Sequence, residues 1–176
     1  MTIFVWLDLE TTGLDVNNCQ IIEVGVIISN EKFEKLETYE AVVNPGRVSY
    51  EDGAIGFHKK SGLFDEVAGG KSLGDVEEEL LALIMRYEPT KKRAYLAGNS
   101  VHFDRTFLTK YMPTVIEHLT SRHLDISVIG VLMKALFGKE ESEYRAPRPH
   151  RALPDLNRSM DELKFYLDEF IFPKNI

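Results

Sequence analysis

Apolar residues repeat along the chain with the periods of strands and helices. Residues 2–9 and 20–29 are apolar runs of strand length, and residues 33–43 alternate apolar and polar positions. The connections between these three runs are short, which favours an antiparallel meander. Residues 94–97 and 122–126 predict a fourth and a fifth strand.

Apolar positions three and four residues apart predict four helices between and after the later strands. Asp75 is expected to cap the first helix, and Asn99 or Ser100 the second. A third helix is expected to open near Ser127, and the last covers about residues 153–170. The stripe of the first helix consists of Val76, Leu80, Leu83, Ile84 and Tyr87.

The remaining segments have the composition of loops. Residues 44–74 combine Pro45 with a glycine-rich sequence and predict a loop with room for one short helix. Residues 139–149 are charged and predict a surface loop. The order of elements is three strands, helix, strand, helix, strand and two helices, which is typical of an α/β domain with a mixed sheet. The length of 176 residues fits one domain covering residues 1–176.

Composition restricts the class of protein. Apolar residues make up 44% of the chain and charged residues 28%, which excludes collagen-like and wholly disordered chains. The N-terminus has no basic segment followed by a cleavage site, so we expect a cytoplasmic protein. Cys19 is the single cysteine, which excludes an internal disulfide and a cysteine-built zinc site. The net charge of -7 disfavours a protein that binds long nucleic acids through a broad basic surface. It allows a confined site for a short phosphate chain.

Two carboxylates follow the first apolar strand. Asp8 and Glu10 are two positions apart, so on a strand both side chains point to the same face. Their mutual repulsion destabilises that arrangement unless a cation lies between them. The alternative is that the strand has already ended and both side chains are solvated.

Two further acids and a histidine precede or open helices. Asp104 shares a helical face with apolar residues, and Asp155 lies in the first turn of the last helix, five residues after His150. Each has an ordinary alternative, because acids in a first turn interact favourably with the helix dipole. Carboxylates suit Mg²⁺ or Mn²⁺, and two such ions can promote an in-line phosphoryl displacement. Together with a histidine that takes a proton from water, they indicate phosphodiester hydrolysis.

Three short motifs carry a family resemblance. They are Asp8-Leu9-Glu10-Thr11-Thr12-Gly13-Leu14, the single Asp104, and His150 followed after four residues by Asp155. In order and spacing they resemble the DEDDh group of 3′-to-5′ exonucleases. The resemblance covers essentially the whole chain and implies a ribonuclease H-like mixed five-stranded sheet flanked by helices.

Other segments are similar to the oligoribonuclease family within that group. Among them are HKKSGL at residues 58–63, LAGNSV at residues 96–101 and HRAL at residues 150–153. The resemblance implies a 3′-to-5′ exoribonuclease that hydrolyses very short RNA to nucleoside 5′-monophosphates. It also implies a homodimer.

The resemblance implies a role for each matching residue. His150 is the general base for the attacking water, and two Mg²⁺ or Mn²⁺ ions are held by Asp8, Glu10, Asp104 and Asp155. Leu14 wedges against the terminal bases. The 5′ phosphate is recognised by His58, Arg122 and Ser127. Three of these positions also have an ordinary alternative: Leu14 as a core residue, Arg122 as a surface arginine at the end of a strand, and His58 as part of a solvated basic loop.

The sequence departs from the family at three positions. Pro154 stands where the family has a second aspartate, which shifts the expected start of the last helix to Pro154. Gly53 replaces a tryptophan that stacks on a base, so Phe57 or Tyr50 is expected to take over or binding to weaken. Ser121 replaces a tyrosine with a longer reach.

Two alternatives to an oligoribonuclease stay open at this point. One is a DEDDh exonuclease that acts more broadly on single-stranded DNA or RNA 3′ ends, which Gly53 favours. The other is a non-catalytic nucleotide-binding module with the same fold. The complete acidic set argues against this module, because clustered carboxylates without a cation destabilise a fold.

Overall fold

The computed structural model describes residues 1–46, 49–138 and 150–171. The predicted loop 139–149 therefore lies outside the described residues. The strands are β1 (Phe4–Thr11), β2 (Ile21–Ser29), β3 (Lys35–Val42), β4 (Ala94–Gly98) and β5 (Leu119–Asp125). The helices are α1 (Asp52–Ser61), α2 (Leu63–Glu66), α3 (Leu73–Tyr87), α4 (Val101–Tyr111), α5 (Pro113–His118), α6 (Ile126–Phe137) and α7 (Ala152–Tyr166).

The strands form one five-stranded mixed sheet in the order β3-β2-β1-β4-β5. The first three strands pair antiparallel, as predicted, while β4 pairs parallel with both β1 and β5. β1 lies in the centre of the sheet. Its apolar residues are therefore covered on both faces, which explains a nearly continuous apolar run.

Helices cover both faces of the sheet. On one face Leu7 and Leu9 of β1 pack in a core with residues of α3, α4 and α5. On the other face Trp6 packs with residues of α6 and α7. The indole N–H of Trp6 donates to Ser29 Oγ at 2.9 Å, which satisfies its one polar atom. Among the described helices, none is long and apolar enough to span a membrane.

Side chains accept backbone N–H groups at the starts of α3, α4 and α6, and at α4 the acceptor comes from elsewhere in the chain. The predicted cap Asp75 is wrong, because Ser72 occupies the N-cap of α3 and its Oγ accepts the Asp75 N–H. Ser100 is the N-cap residue of α4, but the Asp125 carboxylate accepts the N–H groups there, from Ser100 at 3.0 Å and Val101 at 3.1 Å. Asp125 also accepts the Ser127 N–H at 3.0 Å and so caps α6. One carboxylate thus serves two helix starts.

The last helix starts earlier than predicted. α7 begins at Ala152 rather than Pro154, because the Ala152 N–H donates to Glu23 Oε2 at 2.8 Å. Pro154 lies within the first turn, where its missing N–H costs no helical hydrogen bond. α7 ends at Tyr166 and continues as a π-helical turn, Leu167–Ile171, close to the predicted end.

Helix is more abundant before α3 than predicted. Residues 44–74 contain α1, α2 and a single 3₁₀ turn, Val67–Gly69, rather than a loop with one short helix. Gly53 and Gly56 lower the intrinsic helix propensity of α1. Tertiary contacts compensate, since the imidazole of His58 hydrogen-bonds to the end of β1. α5 was not predicted, because Pro113 both follows the end of α4 and opens α5 at its first position.

Candidate active site

A cavity of about 620 Å³ lies beside the C-terminal end of β1. Its lining comes from β1, α1 and the N-terminal ends of α4 and α7. Five predicted residues line it together, namely Asp8, Glu10, Asp104, His150 and Asp155. The polar residues that the sequence separates by up to 147 positions therefore share one space.

Three carboxylates form the acidic cluster, which we define as Asp8, Glu10 and Asp155. All three side chains are buried, and each offers an oxygen within 4.8 Å of the other two. Asp8 and Glu10 converge because β1 continues to Thr11 and places both on one face. The solvated-loop alternative for these two acids is therefore wrong.

A missing side chain on β2 lets α7 bring Asp155 to the cluster. Gly25 pairs with Asp8 across the strands, and a Cβ on Gly25 would lie 2.8 Å from atoms of Ala152 and Leu153. Any larger residue would force the start of α7 away from the sheet. Asp155 lies in that first turn, so the glycine sets its distance from β1.

An ion pair fixes the start of α7 to the sheet. Arg151 Nε donates to Glu23 Oε1 at 2.8 Å, and its other nitrogens donate to the two Glu66 oxygens at 3.0 and 2.9 Å. Glu23 is fully buried, and this burial raises the pKa of its carboxyl despite the hydrogen bonds from Arg151 and Ala152. A buried carboxylate held in this way orients the turn between His150 and Asp155.

Asp104 approaches the cluster from the other face of the sheet. It is buried in the first turn of α4, and its Oδ1 accepts the Leu9 N–H at 3.0 Å. Leu9 lies between Asp8 and Glu10 on β1. The hydrogen bond therefore holds the fourth carboxylate against the strand that carries the first two.

The two histidines of the cavity occupy different environments. His58 is buried, with Nε2 2.8 Å from the Thr11 carbonyl and Nδ1 3.9 Å from Glu10 Oε2. A carbonyl only accepts, so Nε2 carries the proton and donates it. Burial lowers the pKa of His58, although the hydrogen bond to the Thr11 carbonyl opposes this shift. The solvated-loop alternative for His58 is wrong.

His150 rests against an aromatic ring of α1. Its imidazole and the ring of Phe57 have centroids 4.4 Å apart and planes tilted by 33°. The His150 backbone has a φ of 55°, a left-handed conformation that is uncommon outside glycine. Phe57 is 48% exposed and lines the cavity. Tyr50 packs instead against Phe64, at a ring distance of 5.4 Å.

The four predicted substrate-binding residues separate into two pairs. Leu14 and His58 line the cavity, and Leu14 is 77% exposed, so its core alternative is wrong. Arg122 is exposed on β5 and Ser127 lies in the first turn of α6. Neither belongs to the lining that the described residues give to the cavity. We call Arg122 and Ser127 the distal pair.

Asn99 and Glu51 line the cavity but were not predicted as site residues. Asn99 lines the cavity and donates from Nδ2 to Ser159 Oγ at 2.8 Å and Glu162 Oε2 at 3.1 Å. Its position before a helix suggested only a cap. Glu51 also lines the cavity, and nothing in its charged, glycine-rich surroundings marked it.

The donor set fits a divalent metal ion. Oxygen ligands from several carboxylates are what Mg²⁺, Mn²⁺ and Ca²⁺ prefer. Three buried carboxylate oxygens within 4.8 Å repel one another, and a bound cation would relieve this repulsion. The acidic cluster thus fits a site for a divalent metal ion.

Solved structures of exonuclease I have the same fold as this chain, and an exonuclease family model matches its sequence. Exonuclease I from Methylocaldum szegediense superposes with a TM-score of 0.75 at 14% identity, covering 98% of this chain and 42% of that one. An Escherichia coli exonuclease I in complex with a dA16 oligonucleotide has a TM-score of 0.74 at 14% identity, covering 95% and 41%. This chain thus spans about two fifths of those proteins, and the likeness confirms the ribonuclease H-like fold. The exonuclease family model matches residues 5–163, so the chain belongs to the exonuclease family.

Curated relatives narrow the assignment within that family. The oligoribonuclease of Leifsonia xyli is 37% identical over 169 residues, covering 92% of this chain and 81% of that protein. The oligoribonuclease of Francisella tularensis is 34% identical over 172 residues and covers 95% of both. The mitochondrial oligoribonuclease of Saccharomyces cerevisiae is 36% identical, covering 96% and 68%. Within the exonucleases, the chain therefore belongs to the oligoribonucleases.

Proposed function

We propose that this protein is a 3′-to-5′ exoribonuclease that hydrolyses very short RNA to nucleoside 5′-monophosphates. The observation that carries the proposal is the convergence of the acidic cluster, Asp104 and His150 in one cavity. Curated relatives named oligoribonuclease support RNA as the substrate. The cavity of about 620 Å³ is in the range that holds small ligands, which supports a short substrate.

The proposed cofactors are two Mg²⁺ or Mn²⁺ ions. They would be held by the acidic cluster and Asp104. When bound, such ions neutralise phosphate charge and stabilise the attacking and leaving oxygens. The Leu9 N–H and the ion pair at Arg151 support this role, because they keep the carboxylates in place before any ion binds.

The proposed general base is His150, which would take a proton from the attacking water. The Phe57 ring supports one side of its imidazole. Leu14 is proposed to wedge against the terminal bases, and its exposure of 77% at the cavity supports that contact. His58 is proposed to contribute to recognition of the 5′ phosphate together with the distal pair.

The active form is proposed to be a homodimer, in which the distal pair serves a partner's cavity. Two features support this: the distal pair lies outside the lining of its own cavity, and α6 exposes an apolar face. That face consists of Val128, Val131, Leu132, Leu136 and Phe137. Exposed apolar patches of this kind mark interaction surfaces. The protein is further proposed to be a single domain over residues 1–176 and to act in the cytoplasm.

A length series of 5′-labelled oligonucleotides tests the proposed function. RNA and DNA of two to about ten nucleotides would be digested with Mn²⁺ present, with and without a 5′ phosphate. We expect the fastest turnover on RNA dinucleotides, release of 5′-monophosphates and loss of activity in excess chelator. Asp104→Ala is the matched inactive variant; its wild-type turnover would exclude this mechanism.

One observation favours broader substrates as a second candidate function. Gly53 has no side chain and the space where its Cβ would lie is open, so position 53 contributes no aromatic ring to the cavity wall. We infer that the missing ring leaves room for a longer single strand. Equal rates on dinucleotides and ten-nucleotide strands would support the broader exonuclease.

A further inference from the structure

A turn after β1 contributes an exposed apolar side chain to the cavity wall, and we call it the Leu14 turn (residues 12–15). Leu14 is 77% exposed, so burial of its own side chain contributes little to fixing the turn. An exposed apolar residue contacts a ligand reproducibly only if the backbone beneath it is held. The restraint therefore has to come from other contacts.

Glu51 supplies these contacts from the residue before α1. Its Oε2 accepts the Leu14 N–H at 2.9 Å, and its Oε1 lies 3.4 Å from the Asp15 nitrogen. The Glu51 N–H donates in turn to the Thr12 carbonyl at 2.9 Å. Side chain and backbone of one residue thus hold both sides of the Leu14 turn.

A buried thiol below the turn completes the arrangement. Cys19 Sγ donates to Glu51 Oε1 at 3.2 Å. The hydrogen bond from Leu14, followed by that from Cys19, lowers the pKa of Glu51. The residue is therefore an anion at neutral pH, which strengthens each hydrogen bond that it accepts.

The Glu51 carboxylate occupies space that is available only because residue 13 is a glycine. A Cβ on Gly13 would lie 2.4 to 2.5 Å from the end of the Glu51 side chain. The φ of Gly13 is outside the left-handed region, so alanine is compatible with the backbone there. Alanine at this position would therefore displace the carboxylate without breaking the turn itself.

We propose that Glu51 is a positioning residue that fixes the Leu14 turn and thereby sets the affinity for the terminal nucleotides of the substrate. Glu51 acts through Leu14 and not on the reacting phosphate. The inference rests on the proposed function, because it takes a short RNA as the molecule that Leu14 contacts.

Steady-state kinetics on an RNA dinucleotide with Mn²⁺ tests the proposal. We expect Glu51→Ala to raise KM about tenfold while kcat changes less than about twofold, because two backbone hydrogen bonds are lost away from the reacting phosphate. Glu51→Gln keeps one acceptor oxygen and is expected to give about threefold. Gly13→Ala is expected to reproduce the effect of Glu51→Ala.

A double-mutant cycle with Leu14→Ala identifies the route of the effect. If Glu51 acts through Leu14, adding Glu51→Ala to Leu14→Ala changes KM less than about twofold. An undiminished effect in that background, or a wild-type KM in Glu51→Ala, overturns the proposal. A wild-type protein that does not cleave dinucleotides contradicts the proposed function instead.

Glu31 provides a matched control. Its Oε2 also accepts a backbone N–H, from Thr2 at 2.9 Å, and it lies outside the cavity lining of the described residues. Glu31→Ala is expected to leave KM unchanged. Thermal unfolding of all variants separates loss of affinity from loss of fold, and a KM effect shared by Glu31→Ala would reduce Glu51 to a general structural role.

Discussion

The acidic cluster and the distal pair are built in opposite ways. The cluster is buried, and two contacts hold the surrounding elements in place. The Leu9 N–H of β1 donates to Asp104 of α4, and Arg151 before α7 donates to Glu23 of β2. The distal pair lies on the edge strand β5 and at the start of α6, next to an exposed apolar face. The acidic cluster lines a cavity of its own chain, whereas the distal pair lies outside that lining and is proposed to reach a cavity only in a homodimer.

Under the proposed function, this difference separates chemistry from recognition. Changes near the cluster are expected to act on kcat or on folding, since its side chains are buried at the cavity between β1 and α7. Changes at the distal pair are expected to act on KM and to depend on substrate ends. The same division can be tested by variants from each region.

The largest expected effect concerns His150. His150→Ala is expected to lower kcat by about 10²- to 10⁴-fold, the range for loss of a general acid–base group. KM is expected to change little, because the carboxylates that are proposed to hold the metal ions remain. Quenched time courses at a series of RNA dinucleotide concentrations give kcat and KM for the variant and the wild type. A variant that loses affinity but keeps kcat would assign His150 to recognition instead.

The second prediction concerns the anchor of α7. Glu23→Ala leaves Arg151 without its buried partner and is expected to lower the free energy of unfolding by about 3 kcal/mol or more. Glu66→Ala removes the half-exposed partner of the same arginine, and we expect less than about 1 kcal/mol. Urea unfolding gives both values. Equal losses would mean that the buried contact is not the stronger anchor.

The third prediction concerns the distal pair. Arg122→Ala is expected to raise KM about tenfold for a 5′-phosphorylated dinucleotide, because a charge-assisted hydrogen bond is lost. The unphosphorylated dinucleotide is expected to show little change. Arg93→Ala, another exposed arginine, serves as the control. An effect of equal size on both substrates would argue against phosphate recognition.

The smallest expected effect is a gain. Gly53→Trp places an indole in open space on the cavity wall, where stacking on a base is worth about 1–3 kcal/mol. We expect KM to fall about fivefold, the lower part of that range. Gly56→Trp puts the same side chain on α1 outside the cavity lining and controls for helix stabilisation. No gain would mean that Phe57 already supplies the stacking surface.

The sequence predicted those parts of the molecule that depend on local pattern. The five strands, the convergence of Asp8 and Glu10, and the first-turn position of Asp155 follow from period two, period 3.6 and the family motifs. An acid on an apolar helical face pointed to Asp104, and the family motifs pointed to both Asp104 and His150, although no local signal fixes their distance from β1.

What the sequence could not predict depends on contacts between distant residues. α7 starts at Ala152 because Glu23 accepts its N–H from 129 positions away. α1 forms despite two glycines because His58 docks on Thr11. Glu51 gave no signal, since its contact with the Leu14 turn joins residues that are 37 positions apart in the sequence.

Asp125 connects the two layers of helices through a single side chain. The helices α4 and α6 lie on opposite faces of the sheet and start from this one carboxylate. Loss of the Asp125 carboxylate would therefore remove a hydrogen-bond acceptor from both helix starts at once, including the start of the helix that carries Asp104.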